Sequence, residues 1–257
     1  PESIVGGGPK ARFQKNKRAL EVLEQLEAEQ RDPTPEELDA LAAYTGWGAL
    51  AQELFQGTFE NPQGPPAFRE EAMWLRDRLG KADWTSAADS VINAHYTDPP
   101  TVSTMWGMLR RLGFNGGRVL EPSEGIGNFW SLMPRDLMER SQLTGIEMDT
   151  TTAAIAKLLH PKANHRTMPY QHSTTSDNFY DVTVGNWPFS NKDKPADRRW
   201  QHLDAFVHDF FFVKALAQTR PGGIVMGITS AGFFDKKNTR IRKYLAARAE
   251  LVAAYRL

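Results

Sequence analysis

The sequence predicts an α/β fold: a doubly wound parallel sheet with helices on both faces and a helical N-terminal extension. Three observations predict it. From about Ala94 onward, short β-branched runs alternate with helical stretches, the pattern of a parallel sheet whose crossovers are helices. The first of these runs, Arg118–Glu121, empties into a glycine-bearing turn. Upstream, residues 1–93 are polar and helical in texture, with no strand signal, which sets the expected boundary between a helical region (1–93) and the α/β domain (94–257).

Each element has its basis in local pattern. Leu20, Leu23 and Leu26 form an apolar stripe interleaved with Glu21, Glu24, Glu27 and Glu29, which predicts an amphipathic helix. Thr34-Pro35-Glu36-Glu37 is a helix start, with Thr as N-cap, Pro in the first turn and acids against the positive end of the dipole. Leu38 and Leu41 carry that helix on, and Gly46-Trp47-Gly48 is a break between helices. Asn61-Pro62-Gln63-Gly64-Pro65-Pro66 predicts a loop without helix or strand. Further helices are expected over Phe68–Leu79 and Ser86–Ile92. Val102, Met105, Trp106, Leu109 and Leu112 share one helical face. Then come strands at Arg118–Glu121, Leu143–Glu147, weakly at Asn164–Thr167, at Asp181–Gly185 and at Ile224–Ile228. Helices around Ile155–Leu159, Ala205–Ala217 and Ile241–Ala247 separate or succeed them. Pro221-Gly222-Gly223 reads as a turn and Leu251–Tyr255 as another strand.

Composition narrows the function classes. Of 257 residues, 40% are apolar, enough for a real core. Lys+Arg 31 balance Asp+Glu 31, so a strongly basic nucleic-acid coat is excluded while local basic patches are not. There is no cysteine, which removes disulfides, thiolate nucleophiles and Cys-ligated metals. The histidines lack metal-ligand spacing, so no metal site is expected. No run approaches a membrane span and no leader opens the chain; the expectation is a soluble, cytoplasmic protein. Pro1 in place of Met suggests a fragment.

Chemistry is expected where strands end, because ligands of doubly wound sheets sit at the carboxyl edge. The turn Glu121-Pro122-Ser123-Glu124-Gly125-Ile126-Gly127-Asn128-Phe129 lets backbone approach a ligand closely. Glu147-Met148-Asp149 ends the next strand, and an acid there suits a ribose diol. The two together point to a nucleoside cofactor without naming it; a tight turn and a solvated acid would leave the same residues. The third glycine of the dinucleotide pattern is missing, and Glu121 and Glu124 would repel a pyrophosphate. They match an ammonium or a sulfonium better, as in the methionine half of S-adenosylmethionine. Asn186-Trp187-Pro188-Phe189 comes directly after the fourth strand. An Asn oxygen and a main-chain carbonyl can each accept an N–H of an exocyclic amine, aiming its lone pair at an electrophile, while an aromatic ring stacks on a flipped base. A strand exit with a Pro kink and core aromatics is the plain alternative.

The ordered set is longer than these turns. His95-Tyr96-Thr97-Asp98-Pro99 precedes the glycine turn. Then come Gly145-Ile146-Glu147-Met148-Asp149, Val184-Gly185-Asn186-Trp187-Pro188-Phe189, His208–Leu216, Arg220-Pro221-Gly222-Gly223 and Ile228-Thr229-Ser230. In that order they resemble amino-group DNA methyltransferases of the N6-adenine type. More closely they resemble the methyltransferase–helicase proteins of phages and mobile elements, the Dar-type anti-restriction group. The likeness also takes in Gly7–Phe13, Tyr44–Gly48 and the stretch from Arg242 to Leu257. It implies a Rossmann-like methyltransferase sheet, S-adenosylmethionine as cofactor and DNA as partner. It also implies a bacterial-cell setting with a helicase domain or phage-particle component nearby. By the same resemblance Tyr96, Thr97, Glu121, Pro122, Ser123, Gly125, Gly127, Asn128, Phe129, Glu147 and Met148 line the cofactor site, and Asn186, Trp187, Pro188 and Phe189 grip the target amine. Three residues depart from the pattern. Trp187 stands where Pro is usual, Glu124 stands where a small residue is usual, and Tyr170 is the candidate to stack on the cofactor adenine in place of an absent acid. Sheets of this kind end in a hairpin whose last strand inserts antiparallel; with Leu251–Tyr255 as the penultimate strand, the expectation is either an open, incomplete edge or a longer natural polypeptide.

RNA guanine or protein glutamine are alternative acceptors for such a turn, and a methyltransferase-like scaffold without activity is a third reading. Lys192, Lys194, Arg198 and Arg199 come after the amine-gripping turn, and Lys236, Lys237 and Arg240 come after the Ile224–Ile228 strand. Both runs are candidates for phosphate contacts, or else solvated surface.

Overall fold

The computed structural model describes residues 7–90, 97–189 and 193–256, leaving aside the side chains of residues 82, 83 and 85–90. Its main elements are α1 (Pro9–Glu29), α2 (Pro35–Ala42), α3 (Arg69–Ser90), α4 (Pro99–Arg111), β1 (Arg118–Glu121), β2 (Gln142–Glu147), α5 (Thr150–Leu159), β3 (Asn164–Thr167), β4 (Tyr180–Asn186), α6 (Val207–Gln218), β5 (Thr219–Ile228) and α7 (Arg240–Ala246). They form two compact units: Pro1–Pro99 with Asp149–Pro161, and Pro100–Met148 with Lys162–Leu257.

In the first unit the leucine stripe of α1 is buried, together with Phe13, Ala19 and Val22. The capping box at Thr34 forms, with the Thr34 hydroxyl accepting from the Glu37 amide and the Glu37 carboxylate accepting from the Thr34 amide. Sequence pattern gave no sign of Asn16, a fully buried polar residue inside the apolar face. Its side-chain oxygen accepts from the Thr45 amide at 2.9 Å and from the Thr45 hydroxyl at 3.2 Å, which fixes the chain ahead of Trp47. α3 is broken at Gly80, whose φ of 65° only glycine adopts readily. The expected loop at 61–66 is partly ordered into strand. Gln56–Gly57 pairs antiparallel with Pro62–Gln63, and Thr58 and Asn61 exchange backbone hydrogen bonds across the turn. The expected helix at Ser86–Ile92 lies partly outside the described residues.

The second unit is built on a five-stranded sheet in the order β3-β2-β1-β4-β5. All its pairings are parallel. The expected doubly wound sheet is thus present, the weak β3 included. Alternate residues face opposite layers. Val119, Val182 and Val184 pack with Val102, Met105, Trp106 and Leu109 of α4. Leu120 and Ile146 join Phe210, Phe211 and Val213 of α6 on the other face.

Two expectations at the β5 side need correction. The Pro221-Gly222-Gly223 turn is an excursion within one strand: Thr219 already pairs with Tyr180, and the ladder resumes at Ile224 with Val182. Asp181 holds it closed, accepting from Arg220 Nε at 2.5 Å and from the Arg118 amide at 2.7 Å. Leu251–Tyr255 is no strand; Leu251, Val252 and Tyr255 are 68%, 67% and 72% exposed. A strand is stable only with a neighbour to satisfy its backbone, and no described segment pairs with this one.

Candidate functional site

Strand order reverses between β1 and β4, and the carboxyl edge at such a reversal is where doubly wound sheets bind their ligands. The glycine turn leaves β1 and the Asn186 turn leaves β4. The two are tied together: the Ser123 hydroxyl donates to the Asn186 carbonyl at 3.0 Å. Gly125 and Gly127 take φ of 57° and 85°, the left-handed backbone the turn requires. At Gly125 a side chain would meet nothing within 4 Å, so that face of the turn is open. The Gly125 amide donates to Glu147 Oε2 at 3.0 Å, which places the acid at the end of β2 against the turn. Met148, next along, is 58% exposed.

Glu121 is the most unusual group in the site. It is 2% exposed, and its Oε2 has no hydrogen-bond partner among the described residues. Burial, reinforced by the neighbouring Glu124 and Glu147 carboxylates, pushes its pKa well above the usual carboxylate range. A cation arriving beside this carboxyl would favour its ionised form and lower its pKa. That would suit the ammonium or sulfonium of a methionine-type donor.

Trp187 turns back onto the sheet. Its indole lies over Gly185 and Gly227, which are partners in the β4–β5 ladder. A Cβ on Gly227 would come within 2.6 Å of the ring. Phe212 meets the indole edge-on at 4.4 Å between centroids, and Phe211 closes it at 6.1 Å. The Trp187 amide continues the ladder by donating to the Ile228 carbonyl at 3.2 Å. Tryptophan is accommodated here because glycines on two adjacent strands leave room beneath it. Asn186, Pro188 and Phe189 are half-buried at the same strand exit.

Glu124 also turns inward. Its side chain is fully buried and meets His165 Nδ1 at 3.1 and 3.2 Å. Pro122 and Phe129 are buried and Asn128 is half-buried, supporting the turn from within. Tyr170 is a correction. It is 3% exposed, packs on Phe211 at 4.8 Å and donates its hydroxyl to Gln218 Oε1 at 2.7 Å. Its ring belongs to the α6 layer and is not presented to a ligand. Thr97 is half-buried just ahead of α4, while Tyr96 and Lys192 lie outside the described residues.

The basic candidates divide. Lys194 pairs with Asp204 at 2.6 Å, Arg199 and Lys236 pair with Asp177 and Asp209, and Arg240 donates to the His202 carbonyl. Arg198 and Lys237 are exposed. Sequence reasoning missed Lys214, a buried cation in α6 that donates to the Tyr170 carbonyl at 2.9 Å and to Asp197 at 3.1 Å. Among the described residues no group of His, Asp and Glu is arranged to hold a metal. No described helix is long and apolar enough to cross a membrane.

No family model matches the chain. Over 172 residues it is 28% identical to Defense against restriction protein B of Escherichia phage P1, a stretch covering 65% of this chain and 7% of that much longer protein. Among solved structures, a Listeria monocytogenes protein described as a class I S-adenosylmethionine-dependent methyltransferase matches with a TM-score of 0.55 and 14% identity. That match covers 93% of this chain and 79% of the other. The methyltransferase subunit of a type I restriction-modification system from Streptococcus thermophilus matches with a TM-score of 0.51 and 14% identity, covering 93% and 73%. The fold is that of a Rossmann-like methyltransferase. The sequence likeness to the phage anti-restriction protein agrees with the resemblance read from the ordered motifs.

Proposed function

We propose that this chain is an S-adenosylmethionine-dependent methyltransferase domain acting on the N6 amine of an adenine flipped out of DNA. The observation that carries the reading is the meeting of two turns at the carboxyl edge of β1 and β4. Glu121, a buried acid whose Oε2 has no hydrogen-bond partner among the described residues, ends one strand, the Asn186–Phe189 turn leaves the other, and the Ser123–Asn186 hydrogen bond joins the two turns. Restriction-modification and anti-restriction proteins among the similar chains support a DNA acceptor.

When bound, S-adenosylmethionine supplies an electrophilic methyl on a sulfonium. The chain's own residues do the rest by position. Glu121 offers its carboxylate to the positive end of the donor, and Glu147, whose carboxylate accepts from the Gly125 amide, would accept from the ribose hydroxyls. Asn186 Oδ1 and the Trp187 carbonyl accept the two N–H bonds of the target amine, which directs its lone pair. The indole packed on Gly227 fixes that carbonyl where proline usually does. Phe189 stacks on the extruded base. Exposed Arg198 and Lys237 are the first candidates for phosphate contact. A helicase segment of the same polypeptide, or a phage-particle component, remains the proposed partner.

The test is methyl transfer from labelled donor to unmethylated DNA, to RNA and to protein in parallel. The expected product is N6-methyladenine in DNA, reduced at least a hundredfold by Asn186→Ala. Label on RNA guanine or protein glutamine alone would move the acceptor. A chain that binds donor and labels nothing would make it a scaffold, the reading favoured by the internal pairing of Lys194, Arg199 and Lys236.

A further inference from the structure

Glu124 stands where a ligand-binding turn has no use for a bulky acid, and its surroundings suggest what it does. Glu121, Gly145 and His165 lie in one register row across β1, β2 and β3. The middle position has no side chain. A Cβ on Gly145 would collide with Glu124 Oε2 and with the Trp130 ring, so the Glu124 carboxylate occupies the space that glycine leaves. From there both its oxygens reach His165 Nδ1, at 3.2 and 3.1 Å, with the two side chains 0% and 5% exposed. Trp130 covers the imidazole, with ring centroids 5.5 Å apart.

The backbone of Glu124 belongs to the turn. Its amide donates to the Ile146 carbonyl at 3.1 Å, and its carbonyl accepts from the Gly127 amide at 2.9 Å. A carboxylate buried this deeply is tolerable only while paired. A shift of the turn would draw it off His165 while leaving it buried near the Glu121 carboxyl. The pair therefore links the conformation of residues 122–127 to a contact on β3, two strands away. The adjacent residue, Gly125, is the one whose amide meets Glu147.

We propose that Glu124 and His165 are positioning residues for the donor pocket: their buried pair holds the glycine turn in the shape that presents Gly125 to Glu147, and without it the turn opens and the donor is lost. This rests on the methyltransferase reading above. Neither residue touches the donor; both act through the turn.

The test uses the whole 257-residue chain, with S-adenosylmethionine as titrant and hydrogen–deuterium exchange as a second readout. In His165→Leu the Kd for S-adenosylmethionine is expected to rise tenfold or more, and amide exchange at residues 123–128 to accelerate at least tenfold while α4 and α6 keep their protection. His165→Gln, which retains an N–H donor, should recover most of both. Exchange that accelerates everywhere would mean a merely structural pair and would overturn the proposal. So would affinity within twofold of the parent chain and an unchanged turn. If His165→Leu does not fold, Glu124→Gln keeps the shape without the charge and carries the same comparison. If the parent chain binds no S-adenosylmethionine, the methyltransferase reading fails. The exchange data then decide the pair alone: selective opening of 123–128 supports the anchor, and no opening refutes it.

Discussion

Replacing Glu121 by Gln should make the ligand-free protein more stable at neutral pH, and the gain should grow with pH. The buried carboxyl holds its proton far above the usual carboxylate range, because of burial first and then the Glu124 and Glu147 charges. In the unfolded chain the same group ionises near pKa ~4.3. Below that value both states are protonated and Glu121 makes no difference to the pH dependence. Above it the unfolded state loses a proton that the folded state keeps, so the parent chain loses about 1.4 kcal/mol of stability per pH unit until the folded group ionises too. Glutamine has nearly the same shape and no proton to lose. For a chain of this size each kcal/mol corresponds to roughly 2–4 °C in Tm. The difference in Tm between Glu121→Gln and the parent should therefore widen with pH above the unfolded pKa, by up to roughly 3–6 °C per pH unit while the folded carboxyl keeps its proton. All other titrating groups are common to both proteins and cancel. Paired thermal melts in matched buffers between about pH 5 and 8 measure this directly. Melting curves that run parallel over that range would mean Glu121 ionises normally, and the argument that the site is built for a cation would lose its basis.

Other expectations rest on single contacts. Gly227→Val should displace the Trp187 indole, which leaves too little room for a Cβ, and cost about 1–3 kcal/mol in a denaturant titration. Trp187→Ala removes a 1% exposed side chain and should cost about 3–5 kcal/mol by the same measurement. Asp181→Ala frees Arg118 and Arg220 and opens the excursion in β5; a destabilisation of about 1.5–3 kcal/mol is expected, the range for hydrogen bonds to a charged group. Arg198→Ala with Lys237→Ala should weaken DNA binding and lower the salt slope by about one unit for each phosphate no longer neutralised. Lys194→Ala, whose charge is already matched by Asp204, should leave that slope unchanged.

Much of the architecture was legible because it is encoded locally. The apolar runs of β1, β2 and β4 and the stripe of α4 carry their own periodicity, and even the short polar β3 forms because β2 offers it a parallel edge. That Ser123 meets Asn186 and Gly125 meets Glu147 follows for a related reason: each lies at or just beyond a strand end, and strand order brings those ends together. What stayed hidden depends on register between strands. Nothing near Glu124 in sequence announces that Gly145 will lie beneath it and His165 beside it. Nor does the Asn186 turn announce that Gly185 and Gly227 will pair to seat an indole. Tyr170 was misread because a tyrosine after a strand can face a ligand or the core, and a distant glutamine, Gln218, takes its hydroxyl. The Leu251–Tyr255 run has strand composition but no partner, and composition cannot supply one.

Isothermal titration of the ligand-free chain with S-adenosylmethionine bears most directly on the central claim, that the carboxyl edge of β1 and β4 receives a positively charged methyl donor. Saturable one-to-one binding is expected, weakened at least tenfold in Glu121→Gln. A flat titration at millimolar donor, from a chain whose melt shows it folded, would contradict the account.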